Sequence, residues 1–317
     1  MINIISIDKA LEYFLLDREL KGNSIKTINN YRQFLGYFVD YIGSDFDVSL
    51  ITLNHLKEYQ LYLSKKNKYE NHPFAPKKAE VISKTTLQSY IRHLRAFIKF
   101  LYEEEYLLED ITLKFKLPKA DKKIIEVLDE DEIIILLDSM PERSELQVRN
   151  KCIIVLMLDS GLRRNEVLTL HYDNVYISQS CIKVFGKGNK ERLVPIGLLT
   201  KKLLLKYMNT RSLPEYETKK LFIDKNKKPM SDNSLKMIYT RLRKKTGIIR
   251  LHPHILRHTF ATQYLINGGD IFSLQQILGH TSLEMVRRYS HLASSYIIAN
   301  HKRLSPLDTI QRSRSNF

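Results

Sequence analysis

The sequence predicts a mainly α-helical protein with two domains. The first is an N-terminal four-helix domain, and the second is a mostly helical domain with a small antiparallel β-sheet, an α+β arrangement. Apolar residues recur every three or four positions through the first third of the chain, as in amphipathic helices. This period breaks at 108–127, and a strand–turn–strand pattern follows at 181–197. A chain of 317 residues can bury two cores of ordinary size.

The four N-terminal helices are predicted at about 7–20, 24–42, 52–66 and 83–107, and the second and fourth have the clearest patterns. Each of these two has one apolar stripe at spacings of three and four. Ser24 and Ser83 are expected N-caps, because a short hydroxyl side chain can accept a hydrogen bond from a free backbone N–H. The stripes consist of Ile28, Tyr31, Leu35, Phe38 and Ile42, and of Leu87, Ile91, Leu94, Ile98 and Leu101.

A linker is predicted where the helical period stops. Residues 108–127 contain Pro118, mixed charges and no sustained period, which is typical of a connection between domains. The expected organisation is a first domain over 1–116, a linker over 117–127 and a second domain over 128–305, followed by a tail over 306–317.

The second domain is predicted to begin with helices at about 129–139 and 145–159. Gly161 suits the end of the second helix, since glycine readily adopts the left-handed conformation found there. After a short helix near 163–170, "CIKVFGKGNKERLVPIG" predicts a strand, a glycine-containing turn and a second strand. Helices resume at Leu198, with one further strand candidate at "LFID" (221–224).

The net charge and the number of cysteines limit the classes of function that this chain can have. The formal net charge is +16, and the part of the chain after Pro118 holds 34 Lys/Arg against 20 Asp/Glu. A basic protein attracts polyanions, which favours nucleic acid. No apolar run is long enough to span a bilayer, so no membrane association is expected. Two cysteines exclude a disulfide framework and a cysteine-based zinc site, and a reducing cytoplasm is the expected location.

A basic stripe is predicted on the fourth helix. Arg92, Arg95 and Lys99 are spaced by three and four residues and therefore share one helix face. Such a stripe either is an ordinary solvated edge or contacts the phosphates of DNA. The basic composition of the chain favours DNA binding.

Four short stretches of the second domain contain polar residues at positions suited to anion chemistry. They are "GLRRNEVLTL" (161–170), "GKGNKERLVPI" (186–196), "HPHILRHTFAT" (252–262) and "LGHTSLEMVRRYSHL" (278–292). Arg163 follows a helix-ending glycine at the start of a helix, where free N–H groups favour anions. Lys187 lies between two glycines of a predicted hairpin, and His254 and Arg257 share a helix face. Each feature alone has a structural explanation, but their order and spacing together are specific.

In this order and spacing the sequence resembles the tyrosine recombinase (phage integrase) family, especially its Xer-like and mobile-element members. The N-terminal helices are similar in pattern to the family's SAM-like core-binding domain. The resemblance implies a double-stranded DNA recombination site as substrate, a tetramer on synapsed DNA assembled through the C-terminal tail, and no cofactor. It also implies a catalytic set with Tyr289 as the nucleophile, together with Arg163, Lys187, His254, Arg257 and His280.

The chemistry of such a reaction accounts for these residue types. A tyrosine hydroxyl, whose ordinary pKa is about 10, must act as a nucleophile on phosphorus at neutral pH. Two arginines can bind the non-bridging oxygens in a fork that lysine cannot reproduce. In the family, Lys187 corresponds to the acid that protonates the leaving oxygen, and His254 is suited to acid–base work. Glu166 is expected to orient Arg163, and the Gly-Leu-Arg frame favours Arg163 over Arg164.

The sequence raises three alternatives to a catalytic, metal-independent recombinase. His254 and His258, one turn apart, could suggest zinc, but Arg257 stands between them and a guanidinium beside a divalent cation is unfavourable, so no metal is expected. A catalytically silent DNA-binding protein of the same fold and a relaxing enzyme like a type IB topoisomerase are the other two. The sequence does not distinguish integration, excision, dimer resolution and inversion, nor tail docking in cis from docking in trans.

Overall fold

The structure is a computed structural model that describes residues 5–68, 79–119, 125–186, 190–211, 218–279, 301, 305–307 and 310. The chain divides into two compact units, Met1–Lys123 and Ile124–Phe317. The predicted fold class is confirmed, because both units are mainly helical and the second contains a three-stranded antiparallel sheet.

The first unit contains the four predicted helices. They are α1 (Ile7–Leu20), α2 (Ile25–Ile42), α3 (Leu53–Lys65) and α4 (Lys84–Glu103). The hydroxyl oxygens of Ser24 and Ser83 accept hydrogen bonds from backbone N–H groups at 3.3 and 3.1 Å, as expected of N-caps. Helix α4 ends earlier than the predicted residue 107, within a run of three glutamates whose charges are unfavourable at the negative end of a helix.

The apolar stripes of these helices form the core of the first unit. The Phe14 ring lies at its centre and makes edge-to-face contacts with Tyr31, Phe97 and Phe100 at centroid distances of 5.0 to 5.4 Å. Phe14 and Phe97 are fully buried. Such ring pairs add about 0.5–1.5 kcal/mol each to the hydrophobic contribution of burial, so they help to fix α1 against α2 and α4.

The second unit contains seven helices and three strands among its described residues. The helices are α5 (Glu130–Asp138), α6 (Glu145–Ser160), α7 (Arg164–Thr169), α8 (Leu198–Thr210), α9 (Asp232–Thr246), α10 (Pro253–Ile266) and α11 (Ile271–Leu278). The strands are β1 (Val175–Tyr176), β2 (Cys181–Phe185) and β3 (Glu191–Pro195), which pair in the order β1-β2-β3. Ile182 of β2 pairs with Val175 on one side and Val194 on the other.

The prediction of a strand at "LFID" was wrong. Within the described chain this segment has one isolated bridge, at Ile223, with a second just before it at Lys220, and it forms no continuous strand. The chain turns back at once, because the Asp224 carboxylate accepts hydrogen bonds from the backbone N–H groups of Asn226 and Lys228. The apolar residues are buried, which explains why their pattern looked like a strand.

Helices α6, α7 and α10 meet at Gly161. Helix α6 is buried on most of its surface and ends at this glycine, which has a φ of 62°. The N-cap of helix α10 is His252, whose Nδ1 accepts hydrogen bonds from the backbone N–H groups of His254 and Ile255 at 3.1 and 3.2 Å. Proline at the next position suits a helix start, since its missing N–H would have no helical partner there.

No helix in the described part of the chain is both long enough and apolar enough to cross a membrane.

Replacing Gly161 by alanine should destabilise the protein more than the same change at Gly247. Both glycines end helices with positive φ, which costs alanine about 1–2 kcal/mol. A Cβ at Gly161 would also lie 2.5 Å from Phe260 Cδ1, whereas nothing lies within 4 Å of a Cβ at Gly247. Overpacking of this kind adds about 1–3 kcal/mol. Urea unfolding of both variants measures the difference, and equal losses would show that the Phe260 ring moves aside freely.

Candidate active site

Arg163 and Glu166 form the base of a cluster of arginines in the second unit. Arg163 is the N-cap of α7, and its backbone N–H donates to Glu166 Oε2 at 2.8 Å. Its guanidinium donates to Glu166 Oε1 at 2.9 Å and to the carbonyl oxygen of Gly279 at 3.1 Å. The Arg163 side chain is 37% exposed, whereas that of Glu166 is 3% exposed. The Glu166 carboxylate therefore fixes the Arg163 guanidinium by a hydrogen bond and leaves part of it accessible to a ligand.

Arg192 of β3 is a second partner of the same carboxylate. Its two terminal nitrogens donate to the two oxygens of Glu166 at 2.8 and 2.9 Å, which is a bidentate pair. Its Nε donates to the carbonyl oxygen of Ile277 at 2.7 Å. Arg192 thus links the sheet, the start of α7 and the end of α11.

Arg257 completes the cluster from α10. The residue is 5% exposed, and its terminal nitrogens donate to the carbonyl oxygens of Gly161 at 2.6 Å and Leu278 at 2.8 Å. Because Gly161 follows α6 and Leu278 ends α11, Arg257 ties the ends of both helices to α10.

Three arginines therefore bind three successive carbonyl groups at the end of α11. Arg192 binds residue 277, Arg257 binds residue 278 and Arg163 binds residue 279. The last carbonyls of a helix have no partner within the helix and form the negative end of its dipole, so guanidinium groups are favourable partners. This arrangement brings two of the predicted catalytic residues, Arg163 and Arg257, to adjacent carbonyls.

The charge of the cluster determines the protonation of Glu166. Burial alone would raise the pKa of this carboxyl group. The hydrogen bonds and charge of Arg192, together with the hydrogen bonds from Arg163, outweigh burial and lower the pKa below its usual value. Glu166 is consequently ionised at neutral pH and offsets part of the positive charge.

His254 lies within reach of the same positive charges. Loss of hydration lowers the pKa of His254, and the charges of His252, Arg257, Arg164 and Arg163 lower it further. The imidazole is therefore neutral at neutral pH and able to accept a proton. His258 lies one turn further along α10, with its ring centroid 6.5 Å from that of His254.

The Arg164 side chain has a partner of its own at the start of α9. Its Nε lies 2.9 Å from Asp232 Oδ1 at the start of α9. The choice of Arg163 over its neighbour stays a prediction from the sequence.

An open cleft of about 630 Å³ lies beside Arg163. Gly186 lines it at the end of β2, and its backbone N–H donates to the carbonyl oxygen of Lys190 at 2.8 Å, which closes the base of the hairpin. Lys187, His280 and Tyr289 lie outside the described residues. Their expected roles stay predictions from the sequence.

The predicted basic stripe on α4 is only partly open to solvent. Arg92 is exposed. Arg95 donates to the carbonyl oxygen of Phe115 at 2.7 Å, and Lys99 lies 3.8 Å from Glu103 and 3.7 Å from Asp110. Arg92 is thus the member of the stripe that is most available to an external phosphate.

Within the described ranges there is no group of three histidine, cysteine, aspartate or glutamate side chains that could hold a metal ion. His252 and His254 belong instead to the start of α10, where the ring of His252 caps the helix.

The motifs did not predict Arg192. In the structure Arg192 lies on the same face of β3 as the fully buried Val194, while Glu191, Leu193 and Pro195 are exposed, but the sequence has apolar residues at both 193 and 194 and so does not indicate which face is inward. An arginine on the inward face of a strand must have a buried partner. The sequence does not say that this partner is Glu166, 26 residues earlier.

Comparison with known proteins agrees with this geometry. Residues 126–295 match the phage integrase family model, and residues 9–117 match the phage integrase SAM-like domain. Tyrosine recombinase XerD of Staphylococcus aureus (strain Mu50) is 30% identical over 302 residues, which cover 93% of this chain and 97% of the relative. XerD of Staphylococcus epidermidis (strain RP62A) is 29% identical over 306 residues, covering 95% and 98%.

Solved structures show the same fold. XerH recombinase, in a post-cleavage complex with a palindromic difH substrate, superposes with a TM-score of 0.71 at 22% identity, covering 93% of this chain and 84% of that chain. The phage integrase family model alone matches more than half of the sequence. The chain therefore belongs to the phage integrase family and is a tyrosine site-specific recombinase.

Proposed function

We propose that this recombinase cuts and rejoins double-stranded DNA at a recombination site through a covalent 3′-phosphotyrosyl intermediate on Tyr289. The observation that carries the proposal is the placement of Arg163 and Arg257 on adjacent carbonyls at the end of α11. The DNA-bound recombination complex of XerH, which shares the fold, supports DNA as the substrate.

The two arginines bind the scissile phosphate. A guanidinium group offers five N–H donors in a planar fork, so Arg163 can keep its bonds to Glu166 and Gly279 and still donate to a non-bridging oxygen. His280 adds a further donor. Each preorganised donor of this kind typically lowers the barrier by about 3–4 kcal/mol, because charge on the phosphoryl oxygens grows in the transition state.

The remaining residues move protons. The phenolic oxygen of Tyr289 attacks phosphorus and forms the new P–O bond while the bond from phosphorus to the 5′-oxygen breaks. His254, neutral because its pKa is lowered, takes the phenolic proton. The ammonium of Lys187 gives a proton to the leaving 5′-oxygen. A 5′-hydroxyl from another strand then reverses these steps, and the number of phosphodiester bonds is conserved.

No metal and no nucleotide cofactor is required by this scheme. The arginines neutralise the phosphate, and the phosphotyrosyl bond keeps the energy of the phosphodiester for the rejoining step. The enzyme is expected in the cytoplasm, and the two free cysteines fit a reducing compartment.

The predicted domain bounds are part of the proposal. A core-binding domain over 1–116 and a catalytic domain over 128–305, joined by a linker over 117–127, are supported by the division of the structure at Lys123 and by the two family models. Arg92, Arg95 and Lys99 of the first domain contact DNA phosphates.

The active form is a tetramer on synapsed DNA, held together through the C-terminal tail. Most of the tail lies outside the described residues, but Leu307 and Ile310 are described and are 77% and 51% exposed. Two exposed apolar residues three positions apart support docking of this segment on a protein surface.

Tyr289→Phe should abolish the covalent intermediate. A nicked suicide substrate traps the phosphotyrosyl enzyme, because the short cleaved strand diffuses away and cannot rejoin. The wild type should give a slowly migrating protein–DNA band in a denaturing gel, with or without EDTA, and Tyr289→Phe should give none.

Tyr264→Phe is the matched control, since the Tyr264 ring packs against Phe260 in the core of the second unit and should not react. A band that persists in Tyr289→Phe and disappears in Tyr264→Phe would overturn the nucleophile assignment. If the wild type forms no band on any cognate DNA, a silent DNA-binding protein becomes the better interpretation.

Arg163→Ala should slow cleavage by about 10²–10³-fold with little change in DNA affinity, because the lost donor acts mainly in the transition state. Arg164→Ala is the control: it removes the same charge from the adjacent position, where the side chain pairs with Asp232. Single-turnover cleavage and gel-shift titration measure the two effects. If Arg163→Ala instead binds DNA more weakly but cleaves normally at saturating enzyme, Arg163 only contacts the DNA backbone and does not act in catalysis.

Arg92→Gln should reduce the salt dependence of DNA binding. Each phosphate contact contributes roughly one unit to the slope of log affinity against log salt concentration. Lys57→Gln on α3 removes another exposed charge of the same unit as a control. If both variants have the wild-type slope, or lose the same amount, the α4 stripe has no special role in binding phosphates.

A further inference from the structure

We infer that Lys220, oriented by His171, binds the DNA phosphate next to the scissile one. The inference rests on the proposed function, since it takes Arg163 as a ligand of the scissile phosphate. Lys220 and His171 both line the open cleft of about 630 Å³ that Arg163 also lines. Neither residue belongs to the motifs that the sequence analysis singled out.

The first support is the way in which the backbone brings the two side chains together. His171 and Lys220 form an isolated antiparallel bridge. The backbone N–H that follows each residue donates to the carbonyl oxygen that precedes the other, both at 2.8 Å, so the two are a non-hydrogen-bonded pair, whose side chains lie closer. The neighbours Leu170 and Leu221 are buried, and side chains alternate along an extended chain. The His171 and Lys220 side chains therefore point away from the core.

The second support is the set of contacts that the Lys220 ammonium makes. It donates to His171 Nε2 at 3.0 Å and to the carbonyl oxygen of Thr169 at 3.2 Å. An ammonium has three N–H donors, and these two acceptors are its only partners in the described part of the chain. The third N–H is thus free to bind a ligand in the cleft.

The third support is that the positive charge of Lys220 is not cancelled. Burial lowers the pKa of His171 and the charge of Lys220 lowers it further, and together they outweigh the opposite effect of Asp173. The imidazole is therefore neutral at neutral pH and orients the ammonium without neutralising it. A carboxylate could orient the ammonium as well, but it would remove the charge that attracts an anion.

The cleft has room for a second phosphate. Pockets that take a whole small ligand have about 300–1,000 Å³. The cleft of about 630 Å³ is therefore larger than one phosphate group requires. Successive phosphates of one DNA strand are about 3.4 Å apart along the helix axis, so a strand with its scissile phosphate at Arg163 would bring the next phosphate to the same cleft.

The experiment removes single phosphate charges from the DNA. The probe is the nicked duplex on which the wild type forms the phosphotyrosyl band, with a neutral methylphosphonate in place of one phosphate at a time. All proteins in the binding assay also have Tyr289→Phe, so that no strand is cut during the titration. Gel shift gives the affinity of each protein for each duplex.

In the parent protein, a methylphosphonate next to the scissile position should weaken binding by about 10-fold, because a hydrogen bond between charged groups is lost. Lys220→Gln should bind the unmodified duplex about 10-fold more weakly, with a salt slope smaller by about one unit. It should lose no further affinity to that methylphosphonate, whereas the effects of methylphosphonates elsewhere should equal those in the parent.

Lys219→Gln is the matched control. Lys219 is an exposed lysine directly before Lys220, and it is not among the described residues that line the cleft. This variant should keep the full effect of the methylphosphonate next to the scissile position.

Two variants of His171 separate orientation from charge. His171→Gln and His171→Glu each offer the Lys220 ammonium an acceptor, but only the second adds a carboxylate that cancels its charge. His171→Glu should therefore match Lys220→Gln, and His171→Gln should bind within about 3-fold of the parent. This comparison also tests the inference if Lys220→Gln does not fold.

The inference would be overturned by a methylphosphonate effect next to the scissile position that is the same in Lys220→Gln and in the parent, or is absent from both. Equal effects of Lys219→Gln and Lys220→Gln would also overturn it, and each of these results leaves the proposed function intact. Failure of the wild type to form a phosphotyrosyl band on any DNA would overturn the proposed function, and the inference with it.

Discussion

Guanidinium groups that are to bind one phosphate, as we propose for Arg163 and Arg257, must be held close together before the phosphate arrives, although their charges repel one another. Here a single buried carboxylate and the end of one helix meet this constraint. Glu166 accepts hydrogen bonds from Arg163 and Arg192, and the last carbonyls of α11 accept from these two and from Arg257. The carboxylate supplies a full negative charge and the helix end a partial one, and both offset the repulsion among the guanidinium groups.

The same contacts organise the fold of the second unit. Arg163 lies at the start of α7, Arg257 on α10 and Arg192 on β3, and all three converge on α11. Gly161 and Gly279 close α6 and α11 in left-handed conformations and permit close packing of Phe260 and Arg192. The position of each arginine therefore depends on where α6 and α11 end, because the carbonyl partners of all three arginines lie at those helix ends.

Local sequence patterns predicted most of the helices and the β2–β3 hairpin, because apolar spacing and capping residues act within a few positions. They failed at "LFID", where buried apolar residues precede a turn, and they missed Arg192. The contacts that build the site join residues 26, 85 and 116 positions apart, and spacing along the chain contains no information on such pairs. The resemblance of the motifs to a known family compensated for this at Arg163 and Arg257, whose partners the structure then supplied.

Stability alone does not account for a buried cluster of this kind. Replacing a buried ion pair by apolar residues of similar volume is often neutral or stabilising by about 1–4 kcal/mol, since desolvation of the charges offsets much of their attraction. A fold that only had to bind DNA through exposed lysines and arginines could pack this junction with apolar side chains. The cluster instead keeps the Arg163 side chain oriented and 37% exposed at the edge of a cleft. That is the arrangement needed to stabilise charge as it develops on a phosphate, which favours a catalytic role over a silent one.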